Sequence, residues 1–525
     1  MNIPAILLES VCFRLEHENG KELSFYERGI KIDRLLIGAT LCALNNSPTK
    51  TLPQNCRNDI CERTPDGLDR RIKEQLGSDL RTANIISDLL AGAGIVEVTQ
   101  VQNPETGRLI KGTRLLDQWC WDSEAEDAEW PGFKEAAEDI SDQIISWRRD
   151  LHRIPEKGYE LNRTSKYLGD QLDKLKVPYQ ACAGTGLVGL IEGALPGPVI
   201  GLRADMDGLA IKEETGLPYA SETGCMHACG HDAHMAMLLG AAKMIMEYRQ
   251  CLRGKVKLLF QPAEEEGGGA EKMIREGCLE HPPVDAVLGL HIGQLISELE
   301  PGQVGIGYGP VMAGVTAFEL TVRGKSAHIC TPHQGVDAIT TASEMVLALQ
   351  KIVSRELDPL RPATLGVSFF EGGEAFNALA GKVVFKGDFR TVDKRDEQFM
   401  KRRIEEVCKA VAGANRAEVT VDFIGSFPAT VNDEVIVDQL IKSARKVLLP
   451  EEIVEIKKPA MGNDDMACFL EKVPGAYFFL GSKHPEFGDQ FPHHHPRFDI
   501  DEAVLWKGAA VLARATVDFG DKFGK

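Results

Sequence analysis

The sequence predicts an α/β protein: a mostly parallel sheet flanked by helices, interrupted by an inserted α+β layer and preceded by a separate α+β module. Three features carry that prediction. From Phe133 onward, short apolar runs alternate with helical patterns, the signature of βαβ units and a parallel sheet. Near Pro310 the texture changes to half-exposed alternation, and it reverts after Phe423. At 525 residues the chain is also too long for one hydrophobic core, so two or three domains are expected. The expected divisions are 1–118 for the first module, 119–132 for an acidic linker, 133–312 and 426–525 for two parts of the main domain, and 313–425 for the insertion.

In the first module, Ile30 to Leu44 carries apolar residues at helical spacing and is broken by Asn45-Asn46-Ser47-Pro48. Helices are expected again over Asp69 to Leu76 and over Leu80 to Ala93, the latter capped by Ser78 or Asp79. Ile95 to Val101 and Leu109 to Leu115 read as a hairpin around Asn103-Pro104-Glu105-Thr106-Gly107-Arg108. Helices followed by a hairpin resemble a winged-helix domain, an architecture that often binds DNA. Here Asp79, Asp88, Glu97 and Glu105 offset Arg81, Arg108, Lys111 and Arg114. Phosphate neutralisation dominates nucleic-acid binding, so this near-neutral balance favours a docking, dimerising or site-shaping role over nucleic acid. Asp117 to Pro131, acidic with interspersed Trp, reads as a linker.

The main domain opens with helical spacing from Phe133 to Glu156, followed by strands over Thr185 to Glu192 and Val199 to Arg203. The second strand empties into Asp205-Met206-Asp207, placing carboxylates at a strand end, where open α/β sheets bind ligands. Cys229 and His231 then stand on either side of a single glycine. Met235, Leu238, Leu239, Ala242 and Met246 recur at helical spacing, so a helix begins at Asp232 or a neighbour, and both metal-capable residues sit in the loop at its entrance. Lys255 to Phe260 and Val284 to His291 are further strands. In the insertion, a strand at Ala317 to Arg323, a helix at Gly335 to Leu357, strands at Ala363 to Phe370 and Lys382 to Thr391, a helix at Lys394 to Ala412 and a strand at Glu418 to Phe423 follow the ferredoxin-like order. A helix over Val435 to Leu448, a buried strand over Ala476 to Leu480 and a closing helix over Glu502 to Phe519 complete the main domain.

Hydrophobic residues make up 43% and charged residues 26%, as in an ordinary soluble protein. The net charge of -18 argues against general affinity for nucleic acid or anionic membrane. MNIPAILLES lacks a secretory pattern and no uninterrupted 18-residue apolar run occurs, so a cytoplasmic protein without membrane partners is expected. Thirteen cysteines without framework spacing fit reduced thiols.

Taken singly, the chemical signals are modest. Glu264-Glu265-Glu266 reads as a solvated acidic turn, although adjacent carboxylates can also divide labour between metal binding and proton transfer. His291 reads as a satisfied core histidine and His493-His494-His495 as a surface cluster. Together, sulfur, imidazole and carboxylate donors at successive strand ends are what a borderline divalent ion requires, and a pair of ions is the economical reading.

Seven motifs in order, WRRDLHRIPE (Trp147 to Glu156), LRADMDGL, MHACGHDAH, FQPAEE, GLH, GG-A-N and H-P-F-DE, resemble the two-metal amidohydrolases. That family includes hippurate hydrolases, bacterial N-acyl-amino-acid hydrolases, plant auxin-conjugate hydrolases and aminobenzoyl-glutamate hydrolases. The resemblance spans roughly residues 133 to 525 and leaves the first module outside. It implies metal ligation by Cys229, His231, Glu265, His291 and His494, with His495 as the alternative to His494, and Glu264 as general base. Asp205, Asp207 and Asp232 are assigned to orienting the ligands. His328 matches a histidine that in related dimers reaches into the partner's active site, and Asn377 and Arg390 match positions near the substrate.

The implied activity is hydrolysis of the amide bond of a small N-acyl or N-aroyl amino acid, by a water that two divalent ions acidify and Glu264 deprotonates. Zinc or manganese is expected, and cobalt or nickel also suits the ligand set. The insertion implies a homodimer or higher homo-oligomer. The competing readings are a DNA-binding or ligand-sensing regulator with a hydrolase-like receptor domain, and a hydrolase of aromatic amines or dipeptides. An intact Glu264 disfavours the regulator, since a receptor has no need of a free base. Ser326-Ala327-His328-Ile329-Cys330, Asn377-Ala378-Leu379-Ala380 and Asp464-Asp465-Met466 depart from the family's usual pattern, which bears on the acyl or amine pocket and leaves the metal set untouched.

Overall fold

The computed structural model describes residues 132–486, 488 and 490–523, together with five strands nearer the N-terminus. Those strands are Glu16–His17, Thr51–Pro53, Val96–Gln102, Leu109–Leu115 and Trp119–Cys120. The expected hairpin is present, with Val96 opposite Leu115 and Gln102 opposite Leu109. Thr51–Pro53, within a stretch read from sequence as irregular, adds a third strand beside Leu109–Leu115. The helices expected at 30–44, 69–76 and 80–93 lie outside the described residues, so the winged-helix assignment has no structural support. Within the expected linker, Trp119–Cys120 pairs antiparallel with Glu16–His17, and 121–131 lie outside the described residues.

The main sheet has eight strands in the order Ile453–Glu455, Val304–Ile306, Gly475–Gly481, Ala286–Gly293, Leu195–Asp205, Arg253–Gln261, Gly186–Glu192 and Tyr179–Cys182. Its four central strands are mutually parallel. Antiparallel pairings attach Gly186–Glu192 on one side and Val304–Ile306 on the other. Ala286–Gly293 and Gly475–Gly481 are buried along their whole length, because helices cover both faces of a parallel sheet and such strands read as unbroken apolar runs.

The helix His231–Glu247 is buried on nearly every side, as its all-round apolar sequence demands. It packs against Ser141–His152 and Leu505–Phe523 so closely that a Cβ on Gly240 would lie 2.9 Å from Ile144 Cδ1 and 3.1 Å from Ala509 Cβ. The helix expected from Phe133 to Glu156 is two helices, Phe133–Asp139 and Ser141–His152, broken at Ile140.

The insertion forms a separate antiparallel sheet in the order Ala363–Gly372, Lys382–Thr391, Gly314–Arg323, Glu418–Phe427. Gly314–Arg323 alternates buried and half-buried residues, its buried side packing with the helices Ala338–Lys351 and Lys394–Ala414. Among the described residues there is no disulfide, and no helix is long and apolar enough to cross a membrane.

Candidate metal centre

The carboxyl ends of the parallel strands supply the site. Asp205 closes one strand directly beside Gln261, which closes the next, and His291 lies near the end of a third. Between Cys229 and His231, Gly230 adopts a left-handed conformation with φ +87°, and a Cβ there would come within 2.7 Å of Ile292 Cγ2. Only glycine fits that turn. His231 is consequently the first residue of the helix His231–Glu247, one step inside it, and not a loop residue as the sequence reading expected.

The structure brings Cys229, His231, Glu265, His291 and His494 together. Two groups of donor atoms, each within 4.8 Å of one another, share the same sulfur: Cys229, His231 and His291 form one, and Cys229, Glu265 and His494 the other. Cys229 Sγ lies 3.6 Å from His291 Nε2, and His494 Nε2 lies 3.3 Å from Glu265 Oε1. Tetrahedral zinc with ordinary bond lengths would hold a sulfur and a nitrogen about 3.5 Å apart, and a nitrogen and an oxygen about 3.4 Å apart. His231 Nε2 and Glu265 Oε1, buried and 3.9 Å apart, have no hydrogen-bond partner. The residues therefore fit divalent cations.

Two of the three imidazoles are oriented from behind. His231 Nδ1–H donates to the Asp207 carbonyl at 2.8 Å and His291 Nδ1–H to the Ile292 carbonyl at 2.6 Å, which turns both Nε2 atoms to the site. Burial, reinforced by His234, keeps the His291 pKa well below the usual histidine range, so that ring is a neutral donor. Burial also pushes the Cys229 thiol well above its usual range, and a bound cation is what would draw off its proton. His494 N–H donates to the Ala228 carbonyl at 2.9 Å, next to Cys229 in the chain. His495 instead accepts from Arg497 N–H at 3.0 Å and packs against Phe491, so His494 and not His495 faces the other donors.

Glu264 and Glu265 stand in a turn whose amides both donate to the Asp207 carboxylate, at 3.1 and 3.2 Å. Glu265 is held below the usual carboxylate range, because His494 and His231 outweigh its burial. Glu264 is pushed well above that range by burial and by Asp464 and Asp465. Asp465 itself is raised to about 7 by burial, with Arg203 opposing and Asp464 adding to the shift. Buried Arg203 ties this group together, with nitrogens 2.8 Å from Asp205, 3.1 Å from Asp464 and 3.0 Å from Asp465. Arg203, Gln261, Asp464, Asp465 and Tyr477 were not assigned roles from sequence. An arginine within an otherwise apolar strand was the available signal.

Of the remaining expected residues, Asp205 lies in a further donor group with His231 and His234, and Asp232, His328, Asn377 and Arg390 lie in none among the described residues. Asp205 accepts from His234 Nδ1–H at 2.6 Å, and His234 Nε2 accepts from Ile292 N–H at 2.9 Å, so both nitrogens of His234 are used. Asp232 contacts none of the five donors named above through its side chain. It takes up His152 at 2.7 Å and Arg148 at 2.8 Å instead. His328 and Asn377 are exposed on the insertion, adjoining through the bond from Ile329 N–H to the Asn377 carbonyl at 3.0 Å. Arg390 donates to the Met461 carbonyl at 2.9 Å and pairs with Asp388 at 3.6 Å. These three residues belong to none of the donor groups found among the described residues.

The profile of peptidase family M20/M25/M40 matches residues 201–518. The chain is 40% identical over 381 residues to IAA-amino acid hydrolase ILR1-like 4 of Arabidopsis thaliana, covering 71% of this chain and 85% of that protein. It is 40% identical over 375 residues to N-acetyl-L-cysteine deacetylase of Bacillus subtilis, covering 71% and 87%. Against thermostable carboxypeptidase 1 of Saccharolobus solfataricus the identity is 35% over 396 residues, covering 74% and 98%. The solved structure of a dinuclear metal binding peptidase of the M20 family from Bacillus subtilis superposes with a TM-score of 0.63 at 29% identity, covering 72% of this chain and 98% of that one. Given that profile match, these identities and a donor cluster fit for divalent cations, the chain belongs to peptidase family M20/M25/M40 and is a metal-dependent hydrolase.

Proposed function

We propose that the chain hydrolyses the amide bond of an N-acyl or N-aroyl amino acid, with Cys229, His231, Glu265, His291 and His494 holding two divalent ions. The observation that carries this reading is the pair of donor groups sharing Cys229 Sγ; Glu264 is in neither, and groups instead with His231 and Glu265 and with Asp464 and Asp465. Zinc, cobalt or nickel suits a site with sulfur and imidazole, and manganese suits its carboxylate. Bound there, the ions would acidify a water and polarise the amide carbonyl.

The protein's own groups do the rest. Asp207 fixes the turn that aims Glu264, through both backbone amides. Glu264, kept avid for a proton by its buried acidic neighbours, accepts one from the attacking water and passes it to the departing amine. Arg203 holds Asp464 and Asp465, which flank Glu264. His328, exposed on the insertion, donates to the developing oxyanion of a second copy's site, which requires a homodimer or higher oligomer. Asn377 and Arg390 orient the substrate's carboxylate, for which a guanidinium fork is suited.

The names of the plant and Bacillus relatives both specify an amino acid conjugate, which supports that substrate class. The carboxypeptidase relative favours a second reading, cleavage of a dipeptide at the same centre. The deciding experiment is a screen of N-acyl amino acids and dipeptides against protein reconstituted separately with zinc, manganese, cobalt and nickel, read by release of free amine. Release from N-acyl amino acids supports the first reading and release from dipeptides alone the second. No release with any metal refutes both.

A further inference from the structure

The metal reading leaves a buried charged cluster at the first turn of the helix His231–Glu247 without a role. Arg148 and His152 lie four residues apart on one face of the helix Ser141–His152, both wholly buried. Arg148 has nitrogens 2.8 Å from Asp232 Oδ2, 2.9 Å from Tyr219 Oη, 3.2 Å from Glu502 Oε1 and 3.3 Å from Asp499 Oδ1. His152 reaches Asp232 Oδ2 through Nδ1 at 2.7 Å and Glu213 Oε1 through Nε2 at 3.1 Å. Donating to two carboxylates uses both ring N–H groups, so His152 acts as an imidazolium.

The partners of this cluster lie on the segments that carry the donors. Asp232 follows His231 directly. Asp499 lies in the same irregular segment as His494, between the strand Gly475–Gly481 and the turn Glu502–Val504. Glu213 anchors the segment between Asp207 and Cys229 by accepting from Ser221 N–H at 2.7 Å, and its neighbour Glu214 donates its N–H to the Pro496 carbonyl at 2.8 Å. His494 needs such anchorage. It is a non-glycine residue at φ +67°, a conformation that persists only where surrounding structure holds it.

Fold stability alone does not account for a cluster of this kind, because apolar residues of equal volume in place of a buried ion network are often neutral or stabilising. In some proteins such charged groups instead fix geometry. We propose that Arg148 and His152 are positioning residues for the metal centre: by tying Asp232 to Asp499 and Glu213, they fix the segment carrying His494 against the helix carrying His231. The proposal rests on the metal-centre reading above.

The test titrates Co²⁺ alone into the metal-free full-length chain and into Asp499→Asn, Glu213→Gln and Arg148→Lys variants. Uptake is read by equilibrium dialysis and by the cobalt and thiolate-to-cobalt absorption bands. The wild type is expected to take up two equivalents. Each variant is expected to bind the weaker of the two roughly 10- to 100-fold less tightly, the usual effect of removing a group that supports a ligand, with altered bands. Lysine keeps the charge of Arg148 and lacks its fork, so Arg148→Lys separates geometry from charge. Should that variant fail to fold, the near-isosteric Asp499→Asn and Glu213→Gln decide. Variants that match the wild type in cobalt affinity and bands overturn the proposal, even where the metal-free chain melts at a lower temperature. A wild type that takes up no Co²⁺ overturns the metal centre itself, which is a different result.

Discussion

Replacing Glu264 by Gln separates proton transfer from metal binding and from stability, because the structure gives the three effects different magnitudes. The turn survives the change, since it is held by the Glu264 and Glu265 amides on Asp207 and not by the Glu264 side chain. The carboxylate lies 4.0 Å from His231 Nε2, and its ligand atom lies within 4.8 Å of those of Glu265, Asp464 and Asp465. At an effective dielectric of about 20, an opposite charge at that nearer distance is worth about 4 kcal/mol and a like charge at the farther one costs about 3.5 kcal/mol. Neutralising Glu264 thus removes one attraction and three repulsions of similar size, from Asp464, Asp465 and Glu265, and the variant should melt no lower than the wild type. Loss of a general base, by contrast, lowers turnover by about 10²- to 10⁴-fold, or about 2.7 to 5.4 kcal/mol of barrier. The assay measures kcat and KM on an N-acyl amino acid that the wild type cleaves, with metal content by elemental analysis and a thermal melt on the same preparation. Turnover within tenfold of the wild type, with metal intact, would refute the base assignment. Loss of metal would instead place Glu264 among the ligands.

Three further outcomes are expected. Cys229→Ser removes the sulfur that both donor groups share, so metal content should fall by at least one equivalent with loss of turnover; two equivalents retained would show that the sulfur is not a ligand. Arg203→Met strands Asp205, Asp464 and Asp465 in the interior without their cation, which should destabilise the fold by about 3 to 5 kcal/mol in a urea melt, and an unshifted midpoint would contradict it. His328→Ala should lower kcat by about 10²- to 10³-fold. If His328 serves the neighbouring subunit of a two-fold dimer, mixing His328→Ala with Glu264→Gln subunits should restore about a quarter of wild-type activity, since half the dimers are mixed and each has one complete site; no recovery on mixing would place the residue in its own site.

The parts of this protein legible in its sequence are those where burial imposes a pattern. Val199 to Arg203, Lys255 to Phe260 and Val284 to His291 were located because strands covered on both faces read as apolar runs, although the observed strands differ in extent. The insertion's strand at Lys382–Thr391 was placed to the residue by its alternation. Val304–Ile306 and Ile453–Glu455 went unseen, since three residues hold too little of any period. The break at Ile140 was also hidden, because the apolar spacing continues through it.

At the site, the donors were legible because their chemistry is rare and their spacing is set by the turn at Gly230, whereas the groups that hold them depend on which way each side chain faces. Asp232 shows what adjacency does not settle. Successive residues on a helix point about 100° apart, so the residue after His231 is turned from the centre toward Arg148 and His152. Those two carry a signal of their own: a cation and an imidazole at i and i+4, level with the buried Ile144, Trp147 and Leu151, on a helix face that apolar side chains would otherwise fill. A charged pair in such a place requires buried partners of opposite sign, and a carboxylate that touches none of the metal donors is where to look for them.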